Sequence, residues 1–148
     1  MAHGAGGTIM HDLIKKYIVK HLGGSNAEVP LEALDDAAVI GDIVLKSDSH
    51  AVKPIFFPGG DIGRLAVAGT VNDIAVMGAE PTALSCGFVL EEGLQITDFE
   101  KILESMKQTC QEAGVYIITG DTKVVEKGIL GGCVINTSGI GKRNEALE

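Results

Sequence analysis

Tryptophan is absent from the 148 residues, and two tyrosines and four phenylalanines are the only aromatics. That is too few rings for a stacking platform of the kind that binds single-stranded nucleic acid. Basic residues are scarce as well: twelve Lys+Arg against twenty Asp+Glu leave a formal net charge of −8. Such a surface repels phosphate backbones and anionic lipid, which argues against nucleic-acid and membrane partners. Four prolines, with no tripeptide period, exclude a collagen-like chain. No apolar run approaches the ~20 residues of a membrane span. Residues Met1 to Thr8 carry neither the basic nor the apolar part of a secretory leader, so the expected location is the cytoplasm. The three cysteines, Cys86, Cys110 and Cys133, form no Cys-x-x-Cys pair and have no histidine at metal-ligand spacing. They read as free, buried thiols in a reducing compartment.

What is present suffices for one domain, 1–148. With 45% hydrophobic and 22% charged residues and a mean hydropathy of +0.25, burial can offset chain entropy without disulfides or metal. The excess is in glycine, twenty residues, about twice the usual ~7%. Periodicity predicts a first helix over Ile9–Leu22, with Thr8 as N-cap and Gly23-Gly24 as its stop. Ala37–Ile40 and Ile43–Lys46, separated by Gly41-Asp42, have the spacing of a β-hairpin. A second helix is expected from about Ile62 to Met77, capped by Asp61 and closed by Gly78. Ala83–Leu90 reads as a strand buried on both faces. Thr97-x-x-Glu100 is a capping box for a third helix that ends at Gly114. Val115–Thr119 is expected to be a short buried strand, and Val124-Val125 to pair with Cys133–Ile140 across a glycine-rich turn. Strands separated by helices give an α/β (α+β) fold, a mixed β-sheet flanked by helices on at least one face.

The aspartates fall where apolar elements end or are interrupted: Asp35-Asp36 before a strand, Asp48 after one, Asp73 inside the second helix and Asp121 after Val115–Thr119. In sheet-based folds ligands sit beyond the carboxyl ends of strands. Hard oxygen donors without His or Cys favour Mg²⁺ held together with nucleotide phosphates. Helix caps and turns are the plainer roles, and Asp61 and Asp42 fit them. Glycine clusters offer a complement: His3-Gly4-Ala5-Gly6-Gly7-Thr8 and Pro58-Gly59-Gly60-Asp61 each open onto a predicted helix, where free N–H groups can meet phosphate. Neither is a Walker A or a Rossmann fingerprint. Lys123 meets phosphate or is a solvated turn lysine; His50, beside Asp48, reads first as a surface histidine. Nucleophilic catalysis has little support, since no Gly-x-Ser-x-Gly elbow occurs.

Taken in order, the segments His3-Gly-Ala-Gly-Gly, Leu34-Asp-Asp-Ala-Ala-Val, Ser47-Asp-Ser, Phe56-Phe-Pro-Gly-Gly-Asp-Ile-Gly, Asn72-Asp-Ile-Ala-Val-Met-Gly-Ala and Gly120-Asp-Thr-Lys-Val-Val resemble the HypE family of [NiFe]-hydrogenase maturation factors. The wider ATP-dependent superfamily, with aminoimidazole ribonucleotide synthetase and selenophosphate synthetase, shares part of the set. The resemblance implies a PurM-like N-terminal domain whose sheet completes a barrel-like core across a homodimer. It implies ATP and Mg²⁺ as cofactors, and HypF and a HypC–HypD complex as partners. The implied activity is carbamoyl dehydration of a C-terminal cysteine thiocarboxamide to thiocyanate, the source of a cyanide ligand. Carried onto this chain, Asp36, Asp48, Asp73 and Asp121 become metal ligands. Gly6, Gly7, Asn72, Gly120 and Thr122 join them around the nucleotide, and Lys123 is the candidate catalytic residue. The chain lacks the second domain and terminal cysteine of the family pattern, so it reads as an N-terminal fragment unable to complete the reaction. A non-catalytic dimerisation and docking module, or another synthetase of the superfamily, is the alternative.

Overall fold

A computed structural model describes residues 7–24 and 37–143. The chain opens with α1 (Gly7–Leu13), which passes through a π-helical stretch, Ile14–Val19, into the single turn α2 (Lys20–Leu22). Gly24, at φ +92°, takes the chain out of the helix. Thr8 lies inside α1, one residue past its start, so it is not the N-cap.

Among the described residues five strands make the main sheet: β1 (Ala38–Ile40), β2 (Ile43–His50), β5 (Ala79–Glu91), β6 (Tyr116–Val125) and β7 (Cys133–Arg143). Their order is β1-β2-β7-β5-β6. The β5–β6 pair is parallel and the others are antiparallel. The parallel pair needs a crossover, which α4 (Ile96–Ala113) supplies. A small hairpin, β3 (Phe56–Phe57) with β4 (Gly60–Asp61), leads into α3 (Ile62–Ala75). Its two-residue turn is Pro58-Gly59 with Gly59 at φ +90°, so those residues serve a tight turn.

Helices α3 and α4 lie on one face of the sheet. Ile62, Val67, Leu84, Ile102 and Ile135 are fully buried between the layers, each contributing about 1.5–3 kcal/mol of transfer free energy. The small residues of α3 permit close packing on β7. A Cβ at Gly139 would stand 2.6 Å from Leu84 and 2.7 Å from Ile74. At the centre of this seam the buried Thr137 hydroxyl donates to the Ala66 carbonyl at 3.2 Å and accepts from Thr70 at 2.5 Å. The two threonine hydroxyls that the α3–β7 contact buries are thus satisfied.

Several expected elements are longer than patterning indicates. β2 continues through Ser47, Asp48, Ser49 and His50 because β7 pairs with it residue by residue as far as His50↔Ile135; Asp48 is therefore inside a strand, not after one. β6 runs on through Gly120, Asp121, Thr122 and Lys123, which ladder onto β5, so these are strand residues and not a loop. β6 is also an exposed edge strand rather than a buried one, and Val124-Val125 pair with β5 instead of β7. β5 spans Ala79–Glu91 with one face only under the helices. The capping box does not form: α4 starts at Ile96, Gln95 is its N-cap without a side-chain bond, and Thr97 is already helical. Gly114 does close α4 in the left-handed conformation.

Candidate functional site

Along β2 the residues facing α3 alternate with period two, Val44, Lys46, Asp48 and His50. The first is apolar and fully buried; the next three turn the seam polar. From α3, Gly69 and Asp73 face them, four residues apart and so on one side of the helix. Lys46 Nζ stands 3.2 Å from Asp73 Oδ2, and His50 Nε2 stands 3.5 Å from Asp48 Oδ2. The two carboxylates are about one-third exposed, at 34% for Asp48 and 31% for Asp73, whereas the His50 side chain is only 8% exposed. Gly69 keeps this end of the seam open: a Cβ there would lie 3.4 Å from His50 Cε1 and 3.8 Å from Asp48 Oδ2. An aspartate in a mainly apolar helix is costly unless paired, and the ammonium of Lys46 supplies the pairing for Asp73.

The remaining predicted residues lie elsewhere. Asp121 is in register with Gly87, Asn136 and Ser49 across the sheet, three strand spacings or roughly 14 Å from β2. With Thr119, Gly120 and Thr122 it borders a groove of about 600 Å³ between β6 and α4, whose floor is apolar with Met106, Cys86 and Cys110. Lys123 is exposed on the same strand. Gly120 is required there, because a side chain would collide with the Cys86 carbonyl of β5. Asn72 is exposed on α3, and Gly7 is the first residue of α1. Gly6 and Asp36 lie outside the described residues, as do the remaining N-terminal glycines and Asp35. The structure thus sets Asp48 and Asp73 along the β2–α3 seam and leaves Asp121, Thr122 and Lys123 on the edge strand β6.

Patterning alone missed Lys46 and His50. His50 is buried, not a surface histidine; had β2 been carried past Lys46, the period-two run would have placed both beside Asp48. The three thiols are buried as expected. Burial pushes the Cys86 thiol up to about 11, with the neighbouring Cys110 adding to the shift, and it also raises Cys110 and Cys133. None has the electropositive setting of a reactive cysteine.

Among the described residues no group of three or more His, Cys, Asp or Glu gathers as a metal cage. The donors at the seam nevertheless fit Mg²⁺. This ion takes one or two carboxylates and completes its shell with water and substrate phosphates. Asp48, set beside Gly69, and Asp73, four residues further along α3 than Gly69 (~6 Å of rise), can each offer oxygen to an ion or ions carried in with a polyphosphate. The set does not suit zinc or copper, which would call for more nitrogen or sulfur.

A mixed sheet covered on one face by two helices, with acidic residues set into the helix–sheet seam, defines a class that sequence comparison identifies. Residues 34–142 match the AIR synthase related protein, N-terminal domain, and the chain belongs to that family. Within it the similarity is to HypE. The carbamoyl dehydratase HypE of Azotobacter vinelandii is 45% identical over 141 residues, covering 95% of this chain and 41% of the relative. The chain also superposes on HypE solved in a HypE–HypF complex, with a TM-score of 0.83 and 48% identity over 90% of this chain and 43% of the other. For HypE solved in complex with ATP the TM-score is 0.70 at 47% identity, over 98% of this chain and 43% of the other. The chain spans less than half the length of the relatives it matches.

Proposed function

We propose that this chain is the ATP-binding and dimerisation domain of a HypE-type carbamoyl dehydratase that works in the cytoplasm. The observation that carries the reading is the similarity, over 98% of the chain, to a HypE structure solved with ATP. The seam of Asp48, Asp73 and Lys46 supports it chemically. In the proposed reaction the carboxamide oxygen of a cysteine-borne S–C(=O)NH₂ group attacks the γ-phosphorus of ATP and ADP leaves. Loss of both protons from nitrogen, one to solvent and one leaving with the phosphate as it departs from carbon, then yields S–C≡N. Mg²⁺ supplies electrostatic stabilisation of the transferring phosphoryl group. Asp48 and Asp73 hold the metal–nucleotide complex, with Asp36 and Asp121 as further ligands, and Lys46 balances charge at Asp73. Gly6, Gly7, Asn72, Gly120 and Thr122 line the nucleotide, and Lys123 steadies the phosphoryl or carboxamide oxygen. HypF, the partner in the HypE–HypF complex, is the proposed source of the carbamoyl group, and a HypC–HypD complex its destination.

Calorimetric titration with ATP and Mg²⁺ tests the reading. Asp73→Asn is expected to weaken Mg²⁺-ATP at least tenfold while leaving the melting temperature within a few degrees. Equal affinity in both proteins removes Asp73 from the site, and no binding by the parent protein leaves the docking-module reading.

A further inference from the structure

We infer that His50 is a positioning residue that holds the Asp48 carboxylate for Mg²⁺-nucleotide. The inference rests on the proposed ATP-binding reading and goes past its ligand set. Its basis is a polar atom without a partner: His50 Nε2 is buried and makes no hydrogen bond, although the residue is 8% exposed and lies beside a carboxylate. A buried nitrogen left unpaired is destabilising, so the site must use it. The nearest charged oxygen is Asp48 Oδ2 at 3.5 Å, slightly long for a hydrogen bond. A modest rotation of the Asp48 side chain closes that gap. With Nε2–H donating to Oδ2, the other oxygen, Oδ1, is left to face a cation. Ligating carboxylates are commonly fixed by such a partner, and removing it typically costs 10–100-fold in metal affinity.

The surroundings are built for this contact. His50 is tied into the β2–β7 ladder opposite Ile135. Gly69 on α3 carries no side chain where a Cβ would lie 3.4 Å from His50 Cε1. Lys46 pairs with Asp73, so Asp48 has His50 as its own donor. The positioning role thus divides the seam into Lys46 with Asp73 and His50 with Asp48.

Two measurements test it. In the protein without nucleotide, ¹⁵N–¹H correlation of the imidazole is expected to show the proton on Nε2, with its resonance moved in Asp48→Asn. A neutral ring protonated on Nδ1 alone overturns the inference whether or not the protein binds ATP. In calorimetry, His50→Phe keeps the ring volume but loses the donor and is expected to bind Mg²⁺-ATP 10–100-fold more weakly than the parent. His50→Gln, which restores an N–H near the Nε2 position, is expected to recover most of that loss, and ATP in EDTA is expected to bind all three proteins alike. Equal Mg²⁺-ATP affinity of His50→Phe and the parent overturns the positioning role while leaving the ATP-binding reading intact. A parent protein that binds no Mg²⁺-ATP overturns both.

Discussion

Gly69 and Gly63 sit six residues apart on α3, yet an alanine at each is expected to act in opposite ways. At 69 the added Cβ meets only the edge of His50 and the rim of Asp48, at 3.4 and 3.8 Å. Alanine within a helix is favoured over glycine by roughly 1 kcal/mol. Gly69→Ala is therefore expected to raise the melting temperature by a few degrees while weakening Mg²⁺-ATP, a divergence that thermal melts and calorimetry on one sample detect. At 63 the Cβ would lie 2.7 Å from the Ile102 carbonyl and 2.8 Å from Met106, where α3 crosses α4. Backbone cannot yield there, and Gly63→Ala is expected to lose about 1–3 kcal/mol in urea unfolding. The thiols add a pH dependence of fixed sign. Cys86 ionises at about 11 in the folded chain against 9.0 for an unperturbed thiol. Between those values the unfolded chain therefore holds fewer protons than the native one. Their contribution to stability is complete below pH 9 and is lost as pH rises toward 11. Melting temperatures recorded from pH 8 to 11 should fall over that interval, and less steeply in Cys86→Ala after correction for its own baseline stability.

Elements are set by caps and by partners, and only the first are written locally. Asp61 accepts the Arg64 N–H at 2.9 Å and starts α3, as its position before an apolar helix predicts. Asp61→Ala is expected to cost about 1 kcal/mol, measured as a shift in the urea midpoint at unchanged slope. Gly114 likewise ends α4 by its own conformational freedom. Strand ends obey a different rule. Ser47 to His50 contain no β-branched residue and no Phe, Tyr or Trp, so propensity stops β2 at Lys46, but the ladder to β7 extends it four residues. The same applies to Gly120-Asp121-Thr122, which read as a turn until β5 supplies the partner. Thr97 shows the converse: its capping-box spacing is present, but α4 begins one residue before it. Hence the helices, the mixed sheet and the acidic positions were legible in the chain, whereas the company each aspartate keeps was not. Lys46 and His50 became visible beside Asp48 and Asp73 only after long-range pairing fixed the length of β2.

Among the described residues the sheet has one face covered by α3 and α4 and one open face, and the open face bears on assembly. Leu45, Ile118 and Ile140 stand around a shallow depression of about 150 Å³ with Leu84 and Gly139 at its base, at 49%, 68% and 43% exposure. Contiguous apolar surface of this kind on a sheet marks an interaction site. The edge strand β6 beside it leaves backbone donors and acceptors unpaired, which a second sheet can use. Pairing two such faces accounts for the proposed homodimer, and it bears on the nucleotide. In one chain Asp48 and Asp73 are separated from Asp121 and Lys123 by most of the width of the sheet, so a triphosphate held by both groups calls for residues from two copies. The parent protein is expected to sediment as a dimer. Leu45→Asp with Ile140→Asp is expected to give a monomer with an unchanged circular dichroism spectrum, since both side chains point away from the helices. Mg²⁺-ATP affinity is expected to fall with the dimer. A folded monomer that still binds Mg²⁺-ATP as the parent does would place the whole site within one chain, and a monomeric parent protein would sink the paired-sheet assembly itself.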